Sequence, residues 1–313
     1  MAHRIDTHHH IVPSAYLARH RKEIFQVAHV HSPKMAAWTP AASLEAMDKS
    51  GIATAISSIS SPGVWFGSIE GARTLSRECN EYAAGMARDH PGRFGLFAAL
   101  PLPDVEGSLR EIEYAFDTLL ADGIGLMTNY GSLWPGDARL APVFDELDRR
   151  RAVVYFHPHA ADYCGGVLPE IPSATIEFPF DTTRAIVHLL YSGTFSRCPN
   201  IRFIFSHAGG ALPMLAGRIA AVAGTRKEIA ARMPNGAEFE LKKQFYDIVN
   251  ASNRISFNAI RELVGVRQLL FGTDFPFWPP QMWVDQLAAL GLNAEEVRAI
   301  ERENALGLLP RFA

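Results

Sequence analysis

Short runs of almost uninterrupted apolar residues recur along the 313-residue chain, and stretches with helical spacing separate them. The runs are Arg4–Val12, Ile52–Ile59, Arg93–Leu100, Gly123–Tyr130, Ala152–Phe156, Ile201–Phe205, Phe245–Val249 and Gln268–Gly272. Helices are expected at Ser43–Lys49, Glu70–Asp89, Val105–Ala121, Leu140–Arg151, from Asp181 or Thr182 to about Ser196, at Leu212–Met233 and at Asn258–Val264. Two more, near Gln281–Leu290 and Ala294–Leu309, close the chain. Strands that are apolar at nearly every position are covered on both faces, the mark of a parallel sheet. About eight of them alternating with helices predict an α/β fold, a (β/α)8 TIM-like barrel. An open doubly wound sheet is the competing arrangement, but no GxGxxG or GxxxxGK turn follows any run. The length fits one barrel domain spanning residues 1–313.

One segment departs from the pattern. Residues 13–42 carry no clear period and read as an excursion with at most one short helix, forming a lid or small subdomain. Its His20, His29 and His31 are expected to face solvent. Ser43 is the candidate N-cap of the helix that follows, and Gly51 its stop.

With 48% hydrophobic residues the chain can bury a large core, and a net charge of -3 with scattered Lys and Arg excludes a nucleic-acid footprint or an anionic-membrane patch. Cys79, Cys164 and Cys198 lie far apart with no CxxC pair, as in a reducing compartment such as the cytoplasm. No signal-peptide pattern opens the chain, and stretches such as Phe94–Leu102 are too short to span a bilayer.

Chemistry concentrates where strands end. In the opening run, RIDTHHHIV, strand alternation places Asp6, His8 and His10 on one face and Thr7 and His9 on the other. Two imidazoles two residues apart on one strand face can share a divalent ion. An N-terminal tag is the bland alternative, but these histidines sit inside an apolar strand. His157 ends the fifth run, His207 follows the sixth and Asp274 the eighth. In a barrel such positions meet at one mouth. Singly, His157 could be a satisfied polar residue and Asp274 a cap before Phe275-Pro276; it is their concurrence that informs. His8, His10, His157 and Asp274 supply N, N, N and O donors, a set suited to Zn²⁺ or Mn²⁺ with positions left open. His207 would stand beside the ion, with His159 flanking more weakly. His9 and His188 are expected to be structural.

The motifs IDTHHHI, YFHPH, FSHAGG and FGTDFP resemble the amidohydrolase superfamily over nearly the whole chain. EFPFDTTRA, the Gly193–Gly210 stretch and LPMLAGRI resemble its aminocarboxymuconate-semialdehyde decarboxylase-like branch. Binuclear members carry a carbamylated lysine at the fourth strand, and GIGLMTNY has none, in keeping with a mononuclear site at the C-terminal ends of the strands. GIGLMTNYG and FDELDRRRAVVYFHP are most similar to salicylate- and 6-methylsalicylate-type decarboxylases. The resemblance implies one divalent metal ion per subunit, zinc first and manganese next, with no organic cofactor. It implies metal-dependent non-oxidative decarboxylation of a hydroxybenzoate or related unsaturated carboxylic acid. Asp274 would protonate the ring carbon, or His207 would act through a metal-bound water. Arg184 and Arg218 are candidates for anchoring negative charge, although each could be a structural ion-pair partner. Phe178, Phe180, Phe277 and Trp278, with Phe275, suit an aromatic ligand, or are simply packed. A homodimer is implied, with an arginine of the neighbouring subunit entering the site. Two alternatives stay open: a lactone or amide hydrolase on the same ligands, and a non-catalytic metal-binding scaffold.

Overall fold

The computed structural model describes residues 3–164, 168 and 170–313; part of the expected loop between Pro158 and Pro179 thus lies outside the described residues. Eight parallel strands follow one another in chain order: β1 (Arg4–Ile11), β2 (Ile52–Ile59), β3 (Phe94–Ala99), β4 (Gly123–Met127), β5 (Val153–His157), β6 (Arg202–Phe205), β7 (Phe245–Asp247) and β8 (Leu269–Leu270). Helices cover the outside, as the alternation predicts, and the strands are buried at almost every position because side chains meet them on both faces. Inside the barrel, Ile5, Ile56, Phe97, Val153, Tyr155, Ile204 and Leu270 form a cluster of their own. Ala305, Leu309 and Phe312 of the C-terminal segment join that cluster. The same segment pairs Glu301 with His3 and Arg4, and Arg311 with Asp122, so it closes the end of the barrel where the strands begin.

β8 is only two residues long, and the barrel is completed by backbone bonds beyond it. Thr7 N donates to Phe271 O at 3.0 Å, Asp274 N to His8 O at 2.7 Å and His10 N to Phe275 O at 2.8 Å. Gly272 permits this approach, because a Cβ there would stand 2.8 Å from His8 Cβ. The bonds that close the barrel therefore bring Asp274 against β1.

Two expectations are corrected. Residues 13–42 are mostly helical: Ser14–Ala28, a 3-10 turn at His29–His31, Ser32–Ala37, and then Pro40–Lys49, which starts before Ser43. Thr39 caps that last helix by accepting from Ala42 N, while Ser43 is buried inside it. The long helix buries only Tyr16, Ile24 and Ala28, too few for a visible period. A further helix, Ala237–Lys242, was not anticipated. Among the described residues no helix is long and apolar enough to cross a membrane.

Candidate metal centre

The register of β1 carries a bulge: Asp6 pairs with Ala55 but His9 with Ser57, one residue more on β1 than on β2. The extra residue reverses the alternation. Ile5 points into the barrel, yet so do His8 and His10, three and five positions on. Asp6 goes to the other side, which corrects the expectation that it shares a face with His8 and His10. Its Oδ2 bonds His9 Nδ1 at 3.0 Å and its Oδ1 accepts from Thr273 N at 3.0 Å.

His8, His10, His157 and Asp274 come together, each offering one ligand atom, all within 4.8 Å of one another and all buried. Those separations are of the order expected for donors held about 2.0–2.2 Å from one ion. His8 Nε2 lies 3.0 Å from His10 Nε2, and Asp274 Oδ1 lies 3.3 and 3.2 Å from these two nitrogens. Each imidazole is held by its other nitrogen. His8 Nδ1 donates to Asp247 Oδ2 at 2.9 Å, His10 Nδ1 to Ser58 Oγ at 3.1 Å and His157 Nδ1 to Pro158 O at 3.0 Å. That leaves three Nε2 lone pairs and a carboxylate oxygen facing one another, repulsive unless a cation stands among them. Asp274 Oδ1 and His207 Nε2 are buried without a hydrogen-bond partner, as expected where an ion or substrate completes the site. The residues present fit one divalent ion.

Charge tells the same story. Burial opposes a proton on His8, but the Asp247 and Asp274 carboxylates override it and push its pKa up to about 10. Burial drives His10 down to about 4, against the pull of Asp274, and holds His157 well below the ordinary range. Burial would raise Asp274, yet His8, His10 and His207 outweigh it and keep the carboxylate ionised. Without a metal, one proton on His8 stands in for the cation.

The cluster opens into a cavity of about 650 Å³ lined by His157, His207 and Asp274. Phe178, Phe277 and Trp278 line it as well, and so do His29, exposed as expected, and His31, which is partly buried and so does not simply face solvent. Phe277 meets His10 edge-on at 6.0 Å and Trp278 meets His31 at 5.0 Å. Phe275 lies behind the wall, stacked on His9 at 4.9 Å. Phe180 is 42% exposed and outside the lining. Neither arginine lines the cavity: Arg184 is tied to Asp181, and Arg218 is exposed on the helix Leu212–Thr225. His159 bonds Ser61 Oγ at 2.8 Å, and His188 Nδ1 accepts from Gly136 N. Asp247 and Ser58 were missed by sequence reasoning, although each stands near a strand end like the four clustered donors. Among the described residues, five of the seven non-glycine residues with positive φ, namely His29, His207, Ala208, Asn250 and Asp274, line this cavity. Such strain tends to collect where side chains must be aimed at a ligand.

A second buried chain, Asp6–His9–Ser43, has the connectivity of a nucleophilic triad, with His9 Nε2 3.0 Å from Ser43 Oγ. All three side chains are fully buried, and Ser43 Oγ also accepts from Trp38 Nε1 at 3.0 Å. It has no access to substrate and acts as a brace between β1 and the helix Pro40–Lys49.

Comparison with known proteins agrees with this geometry. The amidohydrolase family model matches residues 5–311. The decarboxylase yanB of Aspergillus niger is 36% identical, over 99% of this chain and 88% of that protein. A 6-methylsalicylic acid decarboxylase of Penicillium expansum is 32% identical, over 99% of this chain and 97% of that one. The crystal structure of a dihydroxybenzoic acid decarboxylase from Polaromonas, with bound manganese and the inhibitor 2-nitroresorcinol, shares the fold at a TM-score of 0.86 and 22% identity, covering 99% of this chain and 97% of that chain. The resemblance read from the motifs is borne out, and the chain belongs to the amidohydrolase family.

Proposed function

We propose that this protein is a carboxy-lyase: a metal-dependent, non-oxidative decarboxylase of a hydroxybenzoate or related unsaturated carboxylic acid, with residues 1–313 as a single catalytic domain. The observation that carries the reading is the double placement of Asp274, in the four-donor cluster and on the wall of an aromatic-lined cavity. The decarboxylases of Aspergillus niger and Penicillium expansum support it. His8, His10, His157 and Asp274 would hold one divalent ion, zinc first and manganese second; the manganese of the Polaromonas enzyme supports the latter. When bound, the ion supplies positive charge that orients a carboxylate and its neighbouring phenolate.

The chain's own groups supply the rest. Asp274 Oδ2 and His207 Nε2 lie 3.7 Å apart, too far for a hydrogen bond with each other, and both residues line the cavity, where either can pass a proton to the substrate. Delivered to the ring carbon that bears the carboxylate, the proton interrupts aromaticity. The C–C bond then breaks, its electron pair restores the ring, and CO₂ leaves with no change in oxidation state. Phe178, Phe277 and Trp278 hold the ring and keep water away from the reacting carbon. The wider family suggests a homodimer, and three cysteines without disulfides suit a cytoplasmic enzyme.

The test is metal analysis of the purified protein beside a CO₂-release screen of hydroxybenzoates. CO₂ and the matching phenol in equal amounts are expected. Hydrolysis of a lactone or amide with no CO₂ from any acid would overturn the proposal in favour of a hydrolase.

A further inference from the structure

We infer that the acid this site takes carries a single carboxylate and an extended apolar ring substituent, which runs from the donor cluster to the cavity mouth. The inference rests on the decarboxylase reading and goes beyond it to the class of substrate.

Charge comes first. Among the described residues no lysine or arginine lines the cavity. Arg184 is spent on Asp181, and Lys34 Nζ, although close by, donates to the backbone carbonyl of Phe277 at 2.9 Å. Of the six residues outside the description, the four in the loop after Cys164, at positions 165–167 and 169, are Gly, Gly, Val and Pro and have no charged side chain. A first carboxylate has the ion to meet it. A second would be desolvated with no guanidinium or ammonium group opposite, a costly burial.

Size and surface give the rest. At about 650 Å³ the cavity lies within the range of pockets that hold drug-sized ligands, roughly 300–1,000 Å³, and has several times the room a single ring needs. Small residues, Ala28, Ala174, Ala251 and Ala259, keep it open. Its mouth is formed by Val30, Met214 and Ile255, which are 85%, 78% and 83% exposed. Large apolar side chains left in water at the rim of an apolar cavity mark a surface that a ligand covers.

The experiment uses the metal-loaded enzyme and measures both CO₂ release and calorimetric affinity. The probes are salicylates with 5- or 6-alkyl chains of one to seven carbons, and 3-hydroxyphthalate, which places a second carboxylate beside the first. The expected result is a kcat/KM that rises roughly two- to fourfold per added methylene over the first several carbons, as each CH₂ leaves water, with 3-hydroxyphthalate at least tenfold below 6-methylsalicylate. Met214→Glu and Ile255→Glu are expected to cut the ratio of long-chain to short-chain kcat/KM. A flat or falling series, or ready turnover of 3-hydroxyphthalate, overturns the inference while leaving the decarboxylase reading intact. If no acid releases CO₂ but affinity still climbs with chain length, the assignment of the cavity stands and the reaction assigned to it falls.

Discussion

Asp247 holds His8 by its Nδ1 at 2.9 Å, and both side chains are fully buried. The other carboxylate oxygen of Asp247 accepts from the backbone of His207 at 3.0 Å and of Val249 at 3.1 Å. One residue thus fixes the tautomer of a histidine in the four-donor cluster and the backbone of the histidine beside it. Asp247→Asn is expected to weaken metal affinity about 10- to 100-fold, the usual effect of losing such a partner. Competition with a chelator measures it, and unchanged affinity would remove Asp247 from the account.

Asp274→Asn keeps the shape of the site but removes the ionisable oxygen near His207. The fold should survive, and turnover should fall by about two orders of magnitude or more, as for a general acid. Circular dichroism and single-turnover CO₂ release read the two effects separately. Near-wild-type turnover would eliminate Asp274 as the proton carrier.

The proton that stands in for the metal gives the metal-free protein a distinctive pH response. The pKa of His8 is raised from 6.5 to about 10, so its contribution to stability is complete below about 6.5 and lost as pH climbs through 10. That of His10 is lowered to about 4, so stability also falls as pH drops from 6.5 through 4. Chelated protein should therefore lose Tm between about pH 7 and 10 relative to the metal-loaded form, in which His8 keeps its Nδ1 proton but carries none on Nε2. Parallel Tm curves for the two forms would count against this picture.

The brace predicts a purely structural variant. Ser43→Ala strips the shared partner from His9 Nε2 and Trp38 Nε1, both buried. A loss of about 1–3 kcal/mol is expected in chemical denaturation, the cost of leaving buried polar groups unsatisfied. Metal content should not change.

Much of this site was legible before any coordinates, for a physical reason. Barrel strands deliver their last side chains to one mouth, so His157 and Asp274 could be joined to His8 and His10 by position alone. What failed was local. Simple alternation put His8 and His10 on one face, where the structure has them, but placed Asp6 there too, because a bulge after it is invisible in the order of residues. The half-exposed helix Ser14–Ala28 shows no period, so its following turn, with His29 and His31, was not linked to the cavity. Asp247 ends a three-residue strand whose pattern is too short to single out its last carboxylate. Ser43 looked like a cap because serine before an apolar run usually is one, whereas here it closes a buried chain from Asp6.

One divalent ion shared by His8, His10, His157 and Asp274 is the premise of every step proposed for this site. Elemental analysis of the purified wild-type protein, with His8→Ala and His157→Ala prepared alongside, tests it most directly. One divalent ion per chain in the wild type is predicted, with ion and CO₂ release lost together in both variants. Full CO₂ release by either variant without metal would contradict it.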